Sequence, residues 1–136
     1  MNSNKKEGWG SADGARQIDE GMKGHIYKEI KNIDPKSHPL NEMVKLTFLL
    51  TKKDDDVDVT IIHAIVPKGA DIPEHTHEVH DIIYPVSGKA KIWIQGIGDL
   101  KLEKGVLVNV PPQVLHKVYD VSEDLEVFDV FSGPIL

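Results

Sequence analysis

Apolar and polar residues alternate along most of this chain, and turn-forming residues cut the alternation into short runs. Residues 57–66 show it best. Val57, Val59, Ile61, His63 and Ile65 fall on one side, with Asp58, Thr60, Ile62, Ala64 and Val66 on the other, which predicts a strand whose odd-numbered face turns inward and carries His63 with it. Residues 89–95 alternate in the same way, with Ala90, Ile92 and Ile94 on the predicted buried face and Trp93 on the outer one, where it is available for a subunit contact. Further strands are predicted over residues 25–30, 44–51, 100–102, 106–110, 114–121 and 125–131. Pro35, Pro39, Gly69, Gly88, Gly105 and the pair Pro111-Pro112 separate them, and the charged run over residues 52–56 reads as a solvated hairpin tip. No segment carries a helical period. Roughly eight to ten short strands between close turns predict an all-β sandwich or barrel.

Composition narrows what such a fold can do. A chain of 136 residues buries about two-thirds of its unfolded surface, enough for one domain with its own core. Cysteine is absent, so histidine and carboxylate must supply any metal ligands. A formal charge of −6, with no basic stripe, argues against a general affinity for nucleic acid or anionic membranes, and no helix-turn-helix pattern is present. No apolar run reaches membrane-spanning length and the first residues lack a secretory pattern, so a cytoplasmic protein is expected. Residues 1–24, rich in glycine and without periodicity, are expected to form a loosely held arm whose Trp9 can dock on the domain or on a second subunit, leaving 25–136 as the domain.

Candidate chemistry concentrates in residues 69–88, G-A-D-I-P-E-H-T-H-E-V-H-D-I-I-Y-P-V-S-G, where three histidines and two acids fall within seven positions. His75 and His77, two apart, leave the same face of an extended strand and can meet at one ion, and Asp81 keeps the same parity. Downstream, residues 105–120 (G-V-L-V-N-V-P-P-Q-V-L-H-K-V-Y-D) add His116.

The two stretches resemble the paired motifs of the cupin superfamily. Gly69, His75, His77, Asp81 and Gly88 match the first, G-x5-H-x-H-x3-E-x6-G, and Gly105, Pro111 and His116 match the second, G-x5-P-x-G-x2-H-x3-N. The resemblance implies a double-stranded β-helix, or jelly-roll, barrel that holds one divalent metal through His75, His77, the carboxylate position and His116. Asp81 replaces the motif's glutamate and reaches about one bond less far, so His80 or Glu78 is an alternative ligand. Gln113 stands for a glycine and Asp120 for an asparagine. Residues 129–134, D-V-F-S-G-P, are similar to the closing D-x-F-[ST]-P-x-R segment of small cupins that include uronate-processing enzymes, which implies that Asp129 faces the cavity, although no arginine follows.

Such a ligand set suits Mn, Fe, Co, Ni or Zn without choosing among them. An open coordination position would polarise a carbonyl or hold an oxygen pair while a nearby base moves a proton, which is isomerase or lyase chemistry with Asp129 as the candidate base. His63, Tyr84 and Tyr119 are weaker candidates for that role, and His63, Tyr84 and Phe131 are expected to line the substrate space. Two other readings stay open: a dioxygenase that uses ferrous iron, and a non-catalytic module that senses a small ligand. The resemblance also implies a homodimer, acting on a sugar derivative or an organic acid.

Overall fold

The computed structural model describes residues 7–136. Eight strands dominate it: β1 (Lys36–His38), β2 (Asn41–Leu50), β3 (Thr60–Val66), β4 (Ile72–His75), β5 (Asp81–Ile94), β6 (Gly98–Glu103), β7 (Val108–Val110) and β8 (His116–Phe131). All pairings are antiparallel. Two one-turn helices, α1 (Lys23–Ile26) and α2 (Lys52–Asp55), stand outside the barrel.

The two long strands organise the rest. β5 and β8 run against each other from Asp81↔Phe131 to Ile94↔His116, with register shifts between Pro85 and Lys91. At that bend Gly88 has φ 89° and would put a Cβ 2.0 Å from the Asp124 carbonyl oxygen, so only glycine lets the strands approach there. The bend sends the two halves of the ribbon into different walls. In one wall the second half of β8 pairs with β3 and the first half of β5, continuing to β2, β1 and β7. In the other, the first half of β8 pairs with β4 and the second half of β5, continuing to β6. The result is an all-β jelly-roll barrel. Its core comes from inward positions of both walls, among them Val44, Ile62, Ile83, Ala90, Ile92, Ile94, Leu102, Val118, Leu125 and Val127.

Several sequence expectations need correction. β3 buries Ile62, Ala64 and Val66, so its even face turns inward and His63 points the other way. Both faces of that strand carry branched aliphatics, and pairing with β8 decides between them. Residues 25–30 form no strand: α1 covers the start and a 3-10 turn begins at Ile30. The charged run is not a plain hairpin tip but α2, capped by Thr51, whose hydroxyl accepts from the Asp54 N–H at 3.0 Å. Residues 81–94 and 116–131 each form one bent strand, where shorter pieces were predicted. Of the arm predicted over 1–24, residues 1–6 lie outside the described residues, and the remainder, half-buried Ser11 apart, is exposed with 3-10 turns at Ala12–Gly14 and Glu20–Met22. Among the described residues, no helix is long and apolar enough to cross a membrane.

Candidate metal centre

Four side chains converge between the two walls. His75 closes β4, His77 follows in the next loop, Asp81 opens β5 and His116 opens β8. One ligand atom from each lies within 4.8 Å of all the others. Strand pairing explains the approach: His75 sits directly across from His116, with ring centres 4.3 Å apart. The Gln113 N–H donates to the His77 carbonyl at 2.8 Å, tying the turn of the second motif to the loop of the first. Gln113 has φ 64°, the left-handed conformation for which that motif uses glycine.

Hydrogen bonding fixes how two of these imidazoles present themselves. The Nδ1 of His75 lies 2.7 Å from the Pro73 carbonyl, and the Nδ1 of His116 lies 3.0 Å from the Val114 carbonyl. A carbonyl only accepts, so each Nδ1 carries the proton and each Nε2 keeps a free lone pair. That lone pair of His116 faces the Asp81 Oδ2 at 3.2 Å, and His77 Nε2 stands 3.6 Å from the same oxygen. Two lone pairs at that distance repel. Either a proton or a cation must lie between them.

The acids carry the same signature. Asp81 and His116 are both buried, and Oδ1 of Asp81 and of Asp129 are sealed from water without a hydrogen-bond partner. Burial pushes the Asp81 carboxyl up to about 6, against the lowering effect of a side-chain hydrogen bond with the Asp129 carboxyl. Burial, then the like charge of Asp81, raises Asp129 well above the usual carboxylate range. The imidazoles shift the other way: burial lowers His75, His77 and His116, and the neighbouring rings help bring His77 to about 4. Neutral imidazoles beside acids with unsatisfied oxygens form a donor set that fits a divalent transition ion, and among the described residues this is the one such group.

The cluster opens into a cavity of about 340 Å³ that Asp129 and Phe131 also line. Phe131 packs edge-on against His77 with ring centres 4.8 Å apart. Other expected site residues lie elsewhere. His63 is outside the lining and pairs with Glu126 at 2.8 Å on the outer face, because the parity of β3 is reversed from that expected. Tyr84 follows Ile83, which points inward, and is therefore turned outward with 52% of its surface exposed. Tyr119 hydrogen-bonds Asp99 on the surface, and that bond first of all raises its hydroxyl to about 12. The alternatives to Asp81 lie outside the cluster: His80 meets the Asn109 side chain at 3.0 Å, and Glu78 is exposed.

Sequence reasoning missed His38. It lines the cavity with its ring centre 6.0 Å from that of His75, and its Nδ1 accepts from the Leu40 N–H at 3.0 Å. Burial lowers its pKa, with His75 contributing, so the ring is neutral and carries its proton on Nε2. His38 is thus a hydrogen-bond donor beside the cluster, in contrast to the two imidazoles with free Nε2 lone pairs.

Residues 62–131, which include all four donors, match the Cupin domain family. An uncharacterized protein of Streptomyces coelicolor is 36% identical over 66 residues, a match spanning 48% of this chain and 62% of that relative's length. Among solved structures, ectoine synthase from P. lautus superposes with a TM-score of 0.70 at 16% identity, covering 81% of this chain and 79% of the other. A predicted oxalate decarboxylase from Thermotoga maritima gives a TM-score of 0.66 at 20% identity, over 76% of this chain and 95% of the other. At such identities these two likenesses show the fold alone.

Proposed function

The chain belongs to the cupin family, and from that premise we propose that it is a metal-dependent enzyme that moves a proton on a small oxygen-bearing molecule, in isomerase or lyase chemistry. The observation that carries this reading is the convergence of His75, His77, Asp81 and His116 within 4.8 Å at the wall of a cavity. These residues would hold one divalent ion, Mn, Fe, Co, Ni or Zn, which when bound supplies a Lewis acid for a carbonyl or an oxygen pair. Asp129 is the base in this account. Its carboxyl lines the cavity with an unsatisfied oxygen, and burial, with the like charge of Asp81, raises its proton affinity well above the usual carboxylate range, which makes it a stronger base than an exposed aspartate. His38 donates through Nε2 to a substrate oxygen, and the hydrocarbon wall excludes water while the proton moves. Enzymes with this fold, such as one named ectoine synthase, lend support to the catalytic reading. A cytoplasmic homodimer belongs to the same proposal, the dimer being supported by apolar side chains left exposed, including Trp9, Tyr84, Ile97 and Leu107.

The test is deuterium exchange from solvent into a panel of small keto and hydroxyketo compounds, followed by NMR with metal-loaded protein. Exchange that disappears in Asp129→Asn while metal stays bound supports the proposal. Oxygen uptake by the iron-loaded protein in place of exchange would assign a dioxygenase, and silence in both assays with ligand binding retained would assign a sensing module.

A further inference from the structure

The lining of the cavity is divided by chemistry. Its polar side chains, His38, Thr76, Asp129 and the four donors, gather around the cluster, while the other fifteen of the twenty-two lining residues are hydrocarbon. Among the described residues, neither lysine nor arginine lines it. The deeper wall, with Val66, Leu102, Leu125 and Val127, is almost completely sealed from water. Pro39, Leu40 and Leu136 line the space yet are themselves exposed, so they form its rim.

This arrangement constrains the far end of a ligand as strongly as the donors constrain its near end. A polyhydroxylated body would press hydroxyls against a wall with nothing to accept or donate, weakening binding roughly tenfold for each. A carboxylate placed away from the cluster would find no cation. A hydrocarbon body gains instead, by roughly fourfold in affinity for each methylene buried. Resting on the metal-site reading above, we infer that the ligand is a small amphiphile: a two-oxygen chelating head at the cluster, carried on an apolar body of a few carbons. The volume of about 340 Å³ lies at the small end of ligand pockets, roughly 300–1,000 Å³, and sets an upper limit on that body. A sugar derivative, expected from the family resemblance, fits this wall poorly.

Straight-chain alkyl hydroxamates, from acetyl to octanoyl, supply a constant chelating head on a growing tail. Their binding to cobalt-loaded and metal-free protein would be measured by calorimetry, with gluconohydroxamate as the hydroxylated control. The expected result is a dissociation constant that falls roughly fourfold per methylene over the first several carbons and then levels as the cavity fills. Gluconohydroxamate should bind at least a hundredfold more weakly than the hexanoyl compound. Val127→Thr, close in volume, should keep cobalt uptake and weaken hexanoyl binding several-fold, while the parent series tests the inference even if that variant folds poorly. A flat series with metal-dependent binding would overturn the amphiphile and leave the metal site standing. Equal dissociation constants with and without cobalt across the series would keep the apolar wall and overturn the metal-held head, and with it the proposed function. A cobalt-loaded protein that binds none of the series would overturn the inference as well.

Discussion

Asp55 and Asp81 are both nearly sealed from water, with side chains 3% and 5% exposed, yet the two surroundings are built in opposite ways. Around Asp55 every oxygen is served: Lys28 and His25 meet Oδ1 at 2.7 and 2.8 Å, and the Thr51 N–H meets Oδ2 at 3.0 Å. Burial alone would raise this carboxyl, but those hydrogen bonds win and hold it at about 2. It is a clasp that fastens the segment containing Lys28 to α2 and the end of β2. Around Asp81 there is no lysine or arginine partner, one oxygen is orphaned, and the neighbouring carboxyl that hydrogen-bonds it is a second acid, Asp129. A buried carboxylate is tolerated when an opposite charge is paired with it; Asp81 has only a second acid and neutral imidazoles around it, so it either holds a proton or is stabilised by a bound cation.

The largest expected effect breaks the comparison on its metal side. His75→Ala/His77→Ala should lower zinc or cobalt affinity by more than about a hundredfold, since it removes two of four donors, whereas Asp55→Asn should leave stoichiometry unchanged; competition with a chelating dye reads both. Stability should separate the acids next. Asp55→Asn is expected to cost about 1–3 kcal/mol in urea unfolding, because the part-buried ammonium of Lys28 loses its charged partner. Asp81→Asn in metal-free protein should be neutral or stabilising, while metal affinity falls at least about tenfold.

The pH dependence of metal-free protein sharpens the contrast. The contribution of Asp55, depressed to about 2, is present above its unfolded value near 4 and is lost as pH falls through about 2. Asp81, raised to about 6, binds its proton more tightly when folded, so its contribution is present below about 4 and is lost as pH rises through about 6. His77, lowered to about 4, acts against it: its contribution is present above about 6.5 and is lost as pH falls through about 4. Removing Asp81 takes away one opposing slope. Asp81→Asn should therefore gain stability more steeply than the parent from pH 4 to 6, by at most about 1.4 kcal/mol per pH unit, and Asp55→Asn should not. Denaturant titrations across that range decide it. The smallest effect concerns Gln113, whose left-handed backbone strain Gln113→Gly would relieve at some entropic cost, for a net change within about 1 kcal/mol.

What was legible from the sequence follows from how local each signal is. The donors were readable because two compact motifs fix their spacing, and strand pairing only had to bring the motifs together, as the opposition of His75 and His116 shows. The inward set Ala90, Ile92 and Ile94 was readable because its alternate face is polar or charged except for Trp93. β3 offered no such contrast, so its parity and the position of His63 were decided by the neighbouring strands. The two long strands were read in pieces because Gly88 and the residues near Asp124 look like turns locally but act as bends when paired. Nothing local marked His38, a lone histidine before a proline, which reaches the cavity only through the placement of β1. Residues 25–30 alternate like a strand, yet the Asp55 clasp and a one-turn helix hold them, a long-range arrangement with no periodic trace.

The most direct measurement is metal content by mass spectrometry, on tag-free protein purified without a metal column, for the parent, Asp55→Asn and His75→Ala/His77→Ala together. The account predicts close to one divalent transition ion per chain in the first two and almost none in the third. A parent that is empty and takes up no added Mn, Fe, Co, Ni or Zn would contradict it, and would leave a proton shared between Asp81 and Asp129 as the explanation of the cluster.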